Sequence, residues 1–165
     1  MLRTIWTDYI APILKRPAQF QVAALCHRPG AAGREILLIT SRETRRWILP
    51  KGWPKSGLGG GETAAEEAWE EAGVRALPGS RRRIGRYSYS KTLPGGLPMR
   101  TEVDVYAIEV DHLMDEFPEE GQRERRWVLP EQASRMVTEP ELKAILAAFP
   151  SQIEPGQTEP GGPSS

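Results

Sequence analysis

Apolar runs alternate with polar breaks along most of the chain. Gln19 to His27 and Glu35 to Thr40 are apolar, partly β-branched stretches separated by Pro29, Gly30 and Gly33, which predicts two strands joined by a turn. Trp47 to Leu49 predicts a third strand, stopped by Pro50, and the glycine-rich stretch Gly52 to Gly61 predicts a loop. Helical propensity then returns in Glu62 to Ala72, rich in Ala and Glu and closed by Gly73, where helices commonly end in a left-handed residue. Thr63 and Glu66 have the spacing of a capping box, which sets the expected helix start at Ala64. Arg83 to Ser90 and Arg100 to Val110 predict strands flanking the turn Pro94-Gly95-Gly96, and Arg126 to Leu129 predicts a shorter one. Two helices close the pattern, one over Pro130 to Met136 and one after Thr138. In the second, Leu142, Ile145, Leu146 and Phe149 recur at i, i+3, i+4 and i+7 and form a core-facing stripe. Strands interleaved with helices in this way predict an α/β or α+β domain built on a mixed sheet.

A length of 165 residues gives one domain, large enough to bury about 70% of its unfolded surface. The expected division is an N-terminal extension over 1–17, a domain over 18–150, and a disordered Pro- and Gly-rich tail over 151–165 that lacks apolar residues to offset its ordering entropy. The apolar runs fall far short of the roughly twenty residues needed to cross a bilayer, so no membrane partner is expected. Asp8 interrupts the apolar start and no small-residue cleavage site follows, which argues against a secretion signal. The lone Cys26, set in an apolar run, excludes a disulfide framework and fits a buried core residue in a reducing, cytoplasmic setting. Lys plus Arg at 22 cancels Asp plus Glu at 22, which removes the overall positive field of a general nucleic-acid binder. Any electrostatic function must come from local segregation of charge.

Such segregation exists on the helix after the glycine loop, which carries Glu62, Glu66, Glu67, Glu70 and Glu71 with no Lys or Arg among them. Carboxylates three or four apart are neighbours on a helix, and each like-charge pair costs about 0.2 to 0.5 kcal/mol. The positive end of the helix dipole compensates only the first turn. Glu67 and Glu71 lie one turn apart with Glu70 beside them, so three carboxylates can converge on one point. Hard divalent cations take one or two carboxylates and complete their shell with waters and substrate phosphate oxygens. The cluster therefore predicts a magnesium or manganese site whose substrate carries phosphates. Ala64, Ala68 and Ala72 form a small-residue stripe on the opposite side, suited to close packing on the sheet.

Gly52, Glu67, Glu70, Glu71, Gly73 and Val74 lie at the spacing of the Nudix box, which reads G, five residues, E, seven residues, R-E-U-x-E-E-x-G-U with U apolar. The chain thus resembles the Nudix hydrolases. Its flanks, Ser41-Arg42 before Trp47 to Pro50 and Gly121 to Trp127 before a helix, are similar to the branch that cleaves diphosphoinositol polyphosphates and dinucleoside polyphosphates. Two positions depart from the box, with Leu58 in place of its first Glu and Glu66 in place of its Arg. The first removes a possible metal ligand. The second removes the partner that usually orients the catalytic carboxylates.

The resemblance implies a Nudix-type α/β/α sandwich around a mixed sheet. It implies that Glu67, Glu71 and the backbone carbonyl of Gly52 ligate Mg2+ or Mn2+, and that Glu70 is the base for a water attacking phosphorus in a phosphoanhydride. Substrate anchors are expected among Ser41, Arg42, Lys51, Lys55 and Arg123, with Arg45, Arg46, Arg125 and Arg126 in the same basic group, since guanidinium suits bidentate phosphate contacts. The dense run Arg81 to Arg86 lies outside the matched motifs, and His27 and His112 have no spacing that suggests a triad or metal site. Two further readings stay open: a binding module for a phosphorylated metabolite or partner protein on a decayed site, and an acidic interaction surface without metal. Oligomeric state and the choice of phosphoanhydride are not written in these motifs.

Overall fold

The strands follow the apolar runs and extend beyond them. The computed structural model describes residues 19–152, so the expected N-terminal extension and all but the first two residues of the expected Pro- and Gly-rich tail lie outside the described residues, and those two, Ser151 and Gln152, belong to the last helix. β1 (Gln19–Gly30) and β2 (Gly33–Thr40) pair antiparallel through a two-residue turn, with Gly30 opposite Gly33. β3 (Trp47–Ile48) continues along β2, while β4 (Lys51–Gly52) pairs with β1, placing Gly52 opposite Val22. After α1 (Gly60–Ala72) come β5 (Val74–Thr92) and β6 (Pro98–Leu113), then β7 (Arg125–Val128), α2 (Pro130–Met136) and α3 (Pro140–Gln152). Among the described residues seven strands make one sheet in the order β3-β2-β1-β6-β5, with β4 on β1 and β7 on β2. Within it β1 and β6 run parallel and the other pairs antiparallel, which makes the sheet mixed.

Central position explains the unbroken apolar run of β1, buried from Gln21 to His27, because a strand covered on both faces has no solvent side to alternate with. Val22, Ala24 and Cys26 pack toward α1, where Ala64, Ala68 and Ala72 are fully buried as the small-residue stripe predicts. Ala23 and Leu25 face the other way, toward Leu142, Leu146 and Phe149 of α3 and Tyr87 of β5. The result is the expected α/β/α layering around a mixed sheet. Burial pushes the Cys26 thiol up to about 12, as befits a core residue. Among the described residues no helix is long and apolar enough to cross a membrane.

Three local expectations are corrected. The predicted loop begins one residue later, because Gly52 is drawn into β4 by pairing with β1. No capping box forms. Helix α1 starts at Gly60 with Gly59 as a cap that has no side-chain bond, and the Thr63 N–H already donates to the Gly59 carbonyl at 2.9 Å. Tertiary contacts take the two expected capping groups: the Thr63 hydroxyl accepts the Lys55 N–H at 3.5 Å, and the Glu66 carboxylate pairs with the Lys55 ammonium. Finally, β5 begins at Val74 rather than Arg83. Its first segment is interrupted between Ala76 and Arg81, where Ser80 Oγ ties the bulged chain to Leu77 O and to the Glu109 backbone. A Pro-Gly break of that kind hides a bulged strand from a reading based on alternation.

Candidate active site

Helix α1 is fixed at its C-terminal end and along the side that meets β4. Gly73 takes φ 69°, its N–H donates to Trp69 O at 3.0 Å, and its carbonyl receives the Met114 N–H at 2.8 Å. Arg125 Nη1 reaches both Ala72 O and Met114 O, at 3.0 and 2.9 Å, so this arginine caps the helix rather than facing a ligand. At the other side, β4 brings Gly52 against the helix. A Cβ on Gly52 would overlap the Glu67 carboxylate, so the glycine lets that carboxylate lie directly against the strand.

The box carboxylates do not gather on one point as expected. Lys55 Nζ stands among Glu66, Glu67 and Glu70, at 3.3, 3.4 and 2.9 Å from their oxygens. Glu71 turns the other way, its Oε2 accepting the Lys51 N–H at 3.3 Å and its Oε1 lying 3.4 Å from Arg123 Nη2. Among the described residues no three ligating side chains are close enough to hold a metal ion by themselves. The reason is electrostatic: four carboxylates in one helical turn and a half repel one another, and each takes the nearest cation.

Burial marks the same residues. The Glu71 side chain is 10% exposed, and desolvation raises its pKa to about 7 against the pull of Arg123. Burial also holds Glu67 above the ordinary carboxylate value, although Lys55 opposes it. Lys55 itself sits above its ordinary value: desolvation lowers it, but hydrogen bonds to Glu70 and Glu66 and the charge of Glu67 more than reverse that. Lys51 is lowered by burial, with its ammonium 5.4 Å from the face of Tyr89.

These groups border a cleft of about 770 Å3 in which Arg42, Arg46, Lys51, Lys55, Lys91 and Arg123 outnumber Glu43, Glu67 and Glu71. All five expected substrate anchors line it. Their surroundings differ. Arg42 is at the exposed rim, 3.3 Å from Gln122 Oε1 and 3.6 Å from Glu119. Ser41 Oγ accepts the Arg46 N–H at 3.1 Å and contacts Thr44, shaping the turn that Arg45 completes with φ 56°. Arg123 is buried among Thr40 O, Glu119 and Glu71. Arg45 instead reaches Gln122 O, and Arg126 pairs with Glu124 and covers Trp47. The Arg81 to Arg86 run is explained by the sheet, where Arg83 and Arg86 pair with Asp104 and Glu102 on the neighbouring strand. His27 is neutral and buried against Arg34 and Phe149, with burial lowering it to about 4.

Sequence reading missed Lys91 and Tyr89 as cleft residues. Strand alternation was the available signal, since Tyr87, Tyr89 and Lys91 share one face of β5, but the fold was needed to show that this face reaches the cleft. Trp53 stands 40% exposed in the cleft wall with Lys91 5.6 Å from its ring.

Comparison with known proteins gives a consistent picture. The family model described as NUDIX domain matches residues 19–149. Human diphosphoinositol polyphosphate phosphohydrolase 3-beta is 27% identical over 119 residues, covering 71% of this chain and 68% of that protein. Nudix hydrolase 16, mitochondrial, of Arabidopsis thaliana is 30% identical over 118 residues, covering 68% and 63%. Among solved structures, a C. elegans Ap4A hydrolase binary complex superposes with a TM-score of 0.56 at 19% identity, covering 82% of this chain and 97% of that one, a likeness of fold.

Proposed function

The chain belongs to the Nudix hydrolase family, and from that premise we propose that it hydrolyses a phosphoanhydride bond by attack of water at phosphorus, with Mg2+ or Mn2+ as cofactor. The substrate is a phosphorylated small molecule of the diphosphoinositol-polyphosphate or nucleoside-diphosphate type, as the names of the human and nematode relatives suggest. One observation carries the reading: the box carboxylates Glu67 and Glu71 open into the same cleft as six basic side chains. Neither feature alone needs a ligand, whereas a phosphate chain neutralises the one and, through a shared cation, the other.

The residues present fit such a cation. Glu67 and Glu71 are desolvated carboxylates, Gly52 leaves its Cβ position to the Glu67 carboxylate, and a lysine ammonium is already drawn into the acidic cluster. Two carboxylates and the Gly52 carbonyl supply hard oxygen donors, a set that magnesium completes with water and substrate oxygens. When bound, the ion supplies Lewis acidity toward the phosphoryl group and toward water. Glu70, hydrogen-bonded to Lys55 and one-third exposed, takes the proton of the attacking water. Lys55, kept charged by its acidic neighbours, and Lys51 offset charge on the phosphates, while Arg42 at the rim meets the far end of the substrate. The leaving group is a phosphate or a phosphorylated alcohol. The buried thiol of Cys26 supports a reducing, cytoplasmic setting.

A second reading, a module that binds a phosphorylated ligand without turning it over, is favoured by Leu58, which stands 38% exposed where the box has a carboxylate. Turnover separates the two. Incubation with Mg2+ and a panel of diphosphoinositol phosphates, diadenosine polyphosphates and nucleoside diphosphate derivatives, at about pH 6 to 9, is expected to release phosphate or nucleotide. Glu70→Gln is expected to slow release by about 100-fold or more, the usual worth of a general base. A ligand-dependent rise in Tm with no product from any substrate establishes the binding module instead.

A further inference from the structure

We infer that Arg123 is the positioning residue for Glu71, supplying from the loop before β7 the guanidinium that position 66 of the box, a glutamate in this chain, cannot supply. The inference rests on the metal-dependent hydrolase reading above. Glu66 is not a vacant position: its carboxylate is committed to Lys55 at 3.3 Å. Glu71 therefore has to find its cation elsewhere, and Arg123 Nη2 stands 3.4 Å from its Oε1.

The mount is rigid. Arg123 Nη1 donates to Thr40 O at 3.2 Å at the end of β2, and Nη2 also lies 3.4 Å from Glu119. The adjacent backbone is tied to the same residue twice, with the Glu124 N–H on Thr40 Oγ1 at 2.9 Å and the Thr40 N–H on Glu124 O at 3.1 Å. Side-chain exposure of 7% leaves the guanidinium little freedom, and its planar fork fixes the direction of approach. With the Lys51 N–H on the other oxygen, Glu71 is held at both ends. A carboxylate has about four lone-pair sites, so this grip leaves acceptor capacity free toward the cleft.

A substrate anchor would look different. The terminal nitrogens of Arg123 face Thr40, Glu119 and Glu71, whereas the Lys51 ammonium, set over the Tyr89 ring in the cleft, keeps its donors for phosphate. Removing Arg123 should thus disturb ligation and turnover ahead of substrate affinity.

The test measures Mn2+ affinity by electron paramagnetic resonance for the parent, Arg123→Lys and Arg123→Met, together with kcat and KM on the substrate the parent turns over fastest. Arg123→Met is expected to bind Mn2+ about tenfold more weakly and to lower kcat by about 100-fold, the range found when a group that orients a ligand is lost, with KM changed less than about threefold. Arg123→Lys keeps the charge without the fork and is expected to fall between. Mn2+ affinity equal to or above the parent's, with KM as the parameter that rises, makes Arg123 a substrate anchor and overturns the inference. If Arg123→Met does not fold, Arg123→Lys decides: weaker Mn2+ binding supports the inference and unchanged binding overturns it. A parent that binds Mn2+ but cleaves no phosphoanhydride sinks only the functional reading, and the Mn2+ arm still decides Arg123. A parent that binds no Mn2+ overturns both.

Discussion

Glu71 shows how one residue carries both a cost to folding and a capacity for chemistry. Its carboxyl has an ordinary value of 4.5 and is raised to about 7 in the fold, chiefly by burial. Between these values the folded chain binds the proton that the unfolded chain releases, so this group's contribution to stability falls as pH rises from about 4.5 to 7. Denaturant unfolding of the metal-free parent and of Glu71→Gln at pH 5 and pH 8 checks the sign. Relative to the variant, the parent should lose on the order of 2 kcal/mol over that interval. Equal losses in the two proteins would show that Glu71 is already ionised well below neutrality. The same desolvation that makes the ionised carboxylate unfavourable alone makes it a good partner for a cation.

At the level of elements, the site depends on where α1 stops as much as on what it displays. Gly73 ends the helix in the left-handed region at φ 69°, and a Cβ there would come within 2.6 Å of the Phe117 ring and 2.7 Å of Met114 O. A left-handed residue with a side chain costs roughly 1 to 2 kcal/mol, and the backbone oxygen cannot step aside without breaking the Met114 N–H bond to Gly73. Gly73→Ala should therefore destabilise by about 2 kcal/mol or more, read from the denaturant midpoint. A loss under about 0.5 kcal/mol would mean that the 114–117 segment yields freely. That segment leads directly to Glu119, whose N–H bonds Glu70 O at 3.0 Å and whose carboxylate lies 3.4 Å from Arg123 of the cleft lining.

For the molecule as a whole, the sheet separates support from chemistry. The α1 face carries the box carboxylates, while α2 and α3 fill the opposite layer with Ala133, Leu142, Leu146 and Phe149, packed with Tyr87 of β5. Leu146 is fully buried, and Leu146→Ala should cost about 2 to 5 kcal/mol through lost transfer free energy and the cavity left behind. Thermal unfolding measures the loss, and kcat determined well below the new Tm is expected to stay close to the parent's. A collapse of kcat in still-folded protein would show that the layers are coupled through the sheet.

The chain's own order of residues determined the strand and helix sequence, the small-residue stripe of α1, the core stripe of α3 and the spacing that assigns the family. Those features are local, set by periodicity and by glycines at fixed offsets, and local rules read them. Helix α1's true start, the bulged opening of β5, the recruitment of Lys91 and Tyr89 to the cleft and the separation of Glu71 from Glu67 and Glu70 were decided by tertiary structure. In each case a partner outside the element outweighed a local preference: β1 claimed Gly52, Lys55 of the preceding loop claimed Thr63 and Glu66, and Arg123, far along the chain, claimed Glu71. Charges on one helical face can be counted in one dimension, but which cation each will face depends on strands that meet only when the sheet closes.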